Sequence, residues 1–333
     1  MKIVMVGGVL GTAVGQSLRR AALQLGHAVH YIDHGIAHSR HRLLRALAWR
    51  MLDRRPVHLV RAARHIVRTC REQGADLLLT TGAAPVPAEA LLELKAAGVA
   101  TANFSTDDPW NTRISGGWYR NALLHYDFAF TPRTANLQQF QALGGPVTAR
   151  VPFAYDEHDF YLDPSAPRRD EFDAVFVGGC DQDRVSLLSS LLRSGLRIGL
   201  FGDYWQQHAI SRPFALGGLN TRGLRMLRAR TAVSICLVRR QNRDGHVMRT
   251  FEAAACGECL LVERTAEHEE IFGPDGECVR YFETGEQLPA LVQELSADPG
   301  ERERLAAKVV ERVARGHRYL DRMRSMLEVI GRG

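Results

Sequence analysis

Short apolar runs alternate with longer amphipathic stretches along almost the whole chain, and this alternation constrains the fold more than any other feature. Strand-like runs fall at 2–6, 28–32, 76–80, 99–104, 127–131 and 147–151, then at 173–178, 197–201, 232–238, 259–263 and 278–282. Between them, apolar residues recur at helical spacing over 12–25, 40–52, 57–73, 87–97, 134–143, 183–194, 249–256, 285–296, 300–315 and 318–330. A strand that returns to its sheet through a helix pairs in parallel, so the pattern predicts an α/β chain whose parallel sheets carry helices on both faces.

The two halves echo each other. "KIVMVGG…LRRAALQLGHAVHYID" reads strand, Gly-Gly, helix, Gly, strand, Asp, and "DAVFVGG…LLSSLLRSGLRIGLFGD" repeats the order. With 333 residues to divide, the expectation is two Rossmann-like domains. The first spans 1–155, a linker rich in proline and charge spans 156–171, the second spans 172–317, and a last helix occupies 318–333. Two such domains facing a cleft would bind a ligand at the C-terminal ends of their strands.

A net charge of +6 favours anionic partners, although the cations are nearly all arginine, the lysines being Lys2, Lys95 and Lys308. The six cysteines are scattered among apolar neighbours and read as reduced thiols; Cys256 and Cys259 form a C-x-x-C without the further ligands a zinc site needs. No apolar run reaches the roughly 18–20 residues of a membrane-spanning helix. The opening "MKIVMVGGVLGTAVG" reads as a strand and loop rather than a signal peptide, because glycines interrupt it and no A-x-A site follows. A cytoplasmic protein is expected.

Two glycine motifs follow strand ends. In "GGVLGTAVG", Gly8 and Gly11 sit in a loop that could line a substrate cleft; the spacing departs from the G-x-G-x-x-G of dinucleotide sites, although Asp33 ends the second strand. In "GGCDQDR", Gly178 and Gly179 expose backbone amides and Arg184 adds a cation, which reads as an anion-facing loop. Asp181 and Asp183 would be the rival metal pair, but acids are common where a helix begins.

The stretch "HVMRTFEAAACGECLLVER", residues 246–264, is the most informative. Asp244, Gly245 and His246 lead into a small smooth helix carrying Arg249, Thr250 and Glu252 near its start. Amides at the helix start, the positive dipole end and Arg249 suit a diphosphate, and Glu252 could accept from a ribose diol. Equally, Glu252 could simply favour the dipole while Arg249 is solvated. Spacing alone leaves these two readings open.

The segment "DGHVMRTFEAAACGECLLVERTAEHEEIF" and the following "GECVRYFETGEQLPALVQELSADPGERERLAAKVVERV" resemble the C-terminal domain of group 1 GT-B glycosyltransferases, closest to the CgeB-like (spore maturation) group. The likeness reaches back through "FVGG…R…LFGDYW" and thinly to "NFSTDDPWN". The resemblance implies that Glu252 holds a donor ribose, that Arg249 and Thr250 face the diphosphate, and that Asp244 stands where the retaining group's Glu-x7-Glu motif has its first Glu. It also implies that the last helix crosses back to the first domain. Arginines such as Arg239, Arg240 and Arg249 would then stabilise the departing diphosphate without a metal.

Asp107 and Asp108 of "NFSTDDPWN" lie at a strand tip, where either could serve as general base; an Asp-Pro turn is the plainer account, and His125 and His246 are other bases on offer. The segment 40–72 is densely basic: Leu43, Leu44, Leu47, Met51 and Leu52 form one apolar face, with Arg42, Arg45, Arg50 and Arg54 opposite or flanking it. It reads either as a peripheral contact for anionic membrane or a lipid-linked acceptor, or as a core-packed helix with a solvated arginine face.

The expected function is transfer of a sugar from a nucleoside diphosphate, UDP or GDP first, to an unidentified acceptor. No metal, cofactor or nucleic-acid partner is expected. Rival readings are a nucleotide-sugar epimerase or hydrolase on the same scaffold, an NAD-dependent oxidoreductase, or a non-catalytic protein that binds nucleotide-sugar or nucleic acid.

Overall fold

The computed structural model describes residues 1–9, 13–163 and 168–332. They form two compact units: Met1–Pro152 with Gln241–Arg243 and Tyr319–Gly333, and Phe153–Arg240 with Asp244–Arg318.

The first unit runs β1 (Lys2–Gly7), α1 (Val14–Gln24), β2 (Ala28–Asp33), α2 (Arg42–Met51), α3 (Leu59–Gln73), β3 (Leu77–Thr81), α4 (Ala88–Ala96), β4 (Ala100–Phe104), α5 (Gly117–Leu123), β5 (Phe128–Thr131), α6 (Thr134–Ala142) and β6 (Val147–Arg150). Its strands lie in the order β2-β1-β3-β4-β5-β6, all parallel.

The second unit runs β7 (Phe172–Val177), α7 (Gln182–Leu192), β8 (Ile198–Phe201), β9 (Ala215–Gly217), α8 (Thr221–Arg225), α9 (Leu227–Arg230), β10 (Thr231–Cys236), α10 (Met248–Ala255), β11 (Leu260–Glu263), α11 (Ala266–Phe272), β12 (Arg280–Phe282), α12 (Leu288–Ala297) and α13 (Pro299–Ala314). Its order is β12-β11-β10-β7-β8-β9, again parallel. The final helix, α14 (Tyr319–Arg332), belongs to the first unit and packs on α1.

Burial explains the elements. β3 and β10 are buried at every position, as strands covered on both faces must be. In α3 the buried residues Leu59, Ala62, Ala63, Ile66, Val67 and Cys70 recur at three- and four-residue spacing, so one stripe faces the sheet. The first core gathers Ile66, Leu78, Leu91, Leu94 and Phe140; the second gathers Leu188, Leu200, Val233, Leu261 and Phe282.

The eleven expected strands all form, so the α/β reading with two parallel sheets holds. The sequence reading missed β9, α5, α8, α9 and α11. Each is short, from three to seven residues, and too brief to show a period. The expected helix 285–296 divides into a single 3-10 turn, Gly285–Gln287, and α12, because Pro289 fits only a helix start.

Each sheet reverses its winding beside its first strand. From β1 the chain moves outward to β2 and then returns to the other side as β3; from β7 it moves out through β8 and β9 and returns as β10. Connections leaving such a pair diverge and leave a crevice at the strand C-termini.

Met326 of α14 is fully buried within the first unit. Met326→Ala is expected to cost about 2–5 kcal/mol by leaving a cavity. Chemical denaturation reads this directly; a change below ~0.5 kcal/mol would mean that α14 contributes little to its unit.

Candidate functional site

In the second unit the crevice between β7 and β10 is edged by the loops that follow them. Gly178 is committed to the fold: its N–H donates to Phe201 O (2.8 Å), and its carbonyl accepts from Trp205 Nε1 (2.8 Å). The sequence had both glycine amides exposed; the N–H of Gly179 alone is left without a partner among the described residues, and the space around it is open. The turn closes this tightly because Gly202, at φ +129°, lacks a Cβ that would meet Gly178 O at 2.3 Å.

Asp181 caps α7, accepting from Arg184 N (2.9 Å), and Asp183 lies in the first turn. Beneath the loop the Arg184 guanidinium donates to Gly179 O (2.8 Å) and stacks 5.3 Å from the Phe176 ring. Burial lowers its pKa, Asp181 opposes that, and Arg239, Asp244 and Glu263 also act on it. Gly179 and Arg184, nominated from sequence, are joined directly, and Arg239 and Asp244, also nominated, are near enough to act on the Arg184 charge. Arg239 and Arg240 are exposed, and Arg240 pairs with Glu263 (3.0 Å), whose other oxygen accepts from Val238 N (3.0 Å).

The helix α10 differs from the expectation. Thr250 through Ala255 are buried, and Val247 at the N-cap offers no side-chain acceptor. Arg249 does not face outward: Nη2 bonds Glu258 (2.7 Å), and Nη1 lies 3.9 Å from Glu252. Ser234 donates to the second oxygen of Glu258. Two carboxyls thus share one guanidinium out of water. Burial pushes the Glu252 carboxyl up to about 7, with Arg249 opposing and Glu258 adding to the rise.

Thr250 is also inside, its hydroxyl 3.3 Å from His268 Nε2. The other nitrogen of His268 lies 2.8 Å from Glu263 O, and burial holds this imidazole down at about 4. His246 is 1 % exposed, with Phe153 and Phe251 edge-on at 5.7 and 5.6 Å. Its Nε2 accepts from Phe153 N (3.0 Å), which leaves Nδ1–H for Glu267 (2.5 Å). Sequence reasoning missed Glu263, Glu267 and His268; Thr265 with Glu267 and Glu269 behind it was the readable signal, a helix start with acids in its first turn. Cys256 and Cys259 are buried free thiols, pushed up to about 12 by burial.

In the first unit a cavity of about 360 Å³ opens where β1, β3 and β4 end, lined by Gly8, His34, Thr81, Gly82, Thr106 and Asp107 among others. Gly11 lies outside the described residues. Gly15 packs under Tyr31, where a Cβ would stand 2.4 Å from the hydroxyl, and that hydroxyl donates to Gly8 O (2.6 Å). A buried network supports the floor. Tyr119 OH reaches Asn103 (2.9 Å) and Ser105 (3.0 Å), Asn103 Nδ2 donates to Gly82 O (3.0 Å), and Ser105 donates to Asp107 O (3.0 Å).

The two candidate bases separate sharply. Asp107 is exposed at the cavity. Asp108 is buried: Arg243 binds both its oxygens (2.6 and 2.9 Å), while Asn136 (2.9 Å) and Trp110 N (3.0 Å) add to Oδ1. Burial alone would raise its carboxyl, but these bonds, Arg243 first, hold it below the ordinary range. A carboxylate so occupied anchors its loop.

Residues 184–328 match a family model described as glycosyl transferase-like. The match takes in less than half of the chain and marks these residues as similar to that family, while the two parallel six-stranded sheets give the two-domain α/β fold of GT-B proteins. Among solved structures, sucrose-phosphate synthase from Thermosynechococcus elongatus aligns over 100 % of this chain and 98 % of its own at 13 % identity, TM-score 0.71. Anabaena HepE, in complex with UDP and glucose, aligns over the whole of both chains at 13 % identity, TM-score 0.66. A putative UDP-N-acetylglucosamine 2-epimerase from Listeria monocytogenes covers 99 % and 95 % at 11 % identity, TM-score 0.56. At such identities the likeness is one of fold. No curated protein matches the sequence.

Because the Glu252 carboxyl sits at about 7 rather than an ordinary 4.5, the native state holds its proton more tightly than the unfolded chain. Its contribution is therefore complete below about pH 4.5 and lost as pH rises through about 7. Glu252→Gln should flatten the fall in melting temperature between about pH 5 and pH 8. An unchanged slope would assign the titration elsewhere.

Proposed function

We propose that the protein is a metal-independent glycosyltransferase, moving a hexosyl group from a UDP- or GDP-sugar to an acceptor held by the first unit. The observation that carries this reading is the glycosyl transferase-like match over 184–328, which begins at Arg184 and takes in the whole loop after β10. The UDP, UDP-glucose and glucose found with HepE support a nucleotide-sugar donor, with UDP the first choice. The "MRTFE…ACG" stretch supports placement in the CgeB-like group.

The second unit receives the donor. Gly179 N–H, Arg239 and the start of α10 take the diphosphate, Arg184 supports the loop from below, and Asp244 stands beside them. Glu252 serves the ribose, with Arg249 fixing its position; Thr250 and His246 brace α10 and the loop before it.

In the transfer, the sugar C1–O bond breaks and its electron pair leaves on the diphosphate. The acceptor oxygen bonds to C1, and its proton passes to a base. Asp107 at the cavity floor is that base if the reaction inverts; if it retains, the departing phosphate oxygen takes the proton. Fixed donors and guanidinium groups stabilise the developing charge in place of a metal.

The test is release of nucleotide from a panel of nucleotide-sugars. Hydrolysis or transfer with a UDP- or GDP-sugar is expected, undiminished by EDTA; activity abolished by EDTA and restored by manganese would return Asp181 and Asp183 to consideration. Glu252→Ala should weaken UDP binding about ten- to a hundredfold, because the ribose hydroxyls lose their buried hydrogen-bond partner. Asp107→Asn should lower turnover by roughly 10²–10⁴ with stability intact. Asp108→Asn should instead lower stability first, and equal catalytic losses in two stable variants would defeat this division of roles.

A further inference from the structure

We propose that the α2–α3 face of the first unit docks on an anionic lipid surface, with α2 lying in the interface. This goes beyond the sugar-transfer reading and does not rest on it.

The helix α2 is almost unsupported: among its described side chains only Ala48 is buried. Leu43 is 86 % exposed, Leu47 59 % and Met51 71 %, with Leu44 and Leu52 about half exposed. Leu43, Leu44, Leu47 and Met51 fall on one side of the helix, at i, i+1, i+4 and i+8. A soluble surface rarely carries so continuous an apolar row unless something covers it.

Charge identifies the cover. Arg40, Arg45, Arg50, Arg55, Arg61 and Arg64 make no ion pair among the described residues. The acids between 40 and 72 are Asp53 and Glu72, already engaged by Arg54 (3.2 Å) and Arg68 (3.6 Å). Between Arg40, just ahead of α2, and α3 a groove of about 1300 Å³ is lined by Arg40, His58, Arg61, Arg64, His65 and Arg68, with Asp33 its one acid, leaving a net positive charge for phosphate headgroups. Trp49 lies off this row and turns towards the cavity of the first unit, with the Arg54 guanidinium 5.9 Å from its ring, which leaves the leucine side of α2 uncovered.

At ten residues α2 is about 15 Å long, enough to lie in the interface and too short to cross it. Leucines beside unpaired arginines fit acyl chains beneath phosphates. Nucleic acid would use the cations and leave the leucines wet. A second copy of the same positive face would be repelled.

The test is flotation of the full chain with phosphatidylcholine vesicles, with and without about 40 mol% phosphatidylglycerol. Wild type should bind the anionic vesicles at least tenfold better, and binding should fall as salt rises. Arg61→Glu with Arg64→Glu should weaken it at least about 25-fold, since each arginine near such a surface contributes about fivefold. Leu43→Ser with Leu47→Ser and Met51→Ser should also abolish it, with melting temperature and solution mass unchanged.

No binding to anionic vesicles, equal binding to both kinds, or variants that float like wild type would overturn the proposal. So would a leucine variant that converts a dimer to monomer, or RNA binding that vesicles do not compete. Release of nucleotide from a soluble sugar donor, measured in parallel, reports on the transferase reading separately.

Discussion

The strand order of the two sheets is the constraint on which the rest depends. Each unit sends its first connections one way and its later ones the other, and parallel pairing aligns all strand C-termini along one edge. At the reversal no helix covers the gap between neighbouring strands, so the loops there face open space. The cavity lined by Gly8, Thr81 and Gly82 and the loops after β7 and β10, which carry Gly179 and Arg239, both lie at such reversals.

Around those reversals, charge is divided between residues that brace and residues left free. Arg249, Glu258 and Glu252 form a buried cluster whose desolvation is offset in part by mutual pairing; burial first, and Glu258 beside it, push the Glu252 carboxyl up to about 7 against the pull of Arg249. His246 is locked by Phe153 N and Glu267, and Asp108 by Arg243. Cations not tied down in this way concentrate on α2 and α3, where an apolar helix lies exposed beside them. The protein thus neutralises its interior charges and leaves an unneutralised basic face on the first unit.

Much of the fold was legible because hydrophobic period survives in a single sequence. Strands such as Leu77–Thr81 and Leu260–Glu263 are buried on both faces and read as unbroken apolar runs. α11 and β9 escaped because seven and three residues hold too little period to recognise. The glycines marked the turns after β1 and β7, yet composition could not tell that Gly178 spends its amide on Phe201 while Gly179 does not.

What the sequence determined by itself was therefore the alternation, the parallel pairing and the position of the glycine turns after β1 and β7, since these follow from periodicity and from glycine at strand ends. What the tertiary structure alone decided was the direction in which each charged side chain points. Arg249 and Arg239 look equally suited to an anion in one dimension. Arg249 meets Glu258, nine residues on, and turns inward with it towards Ser234 of β10, whereas Arg239 follows β10 and is exposed; which of the two is buried depends on how α10 packs against the sheet.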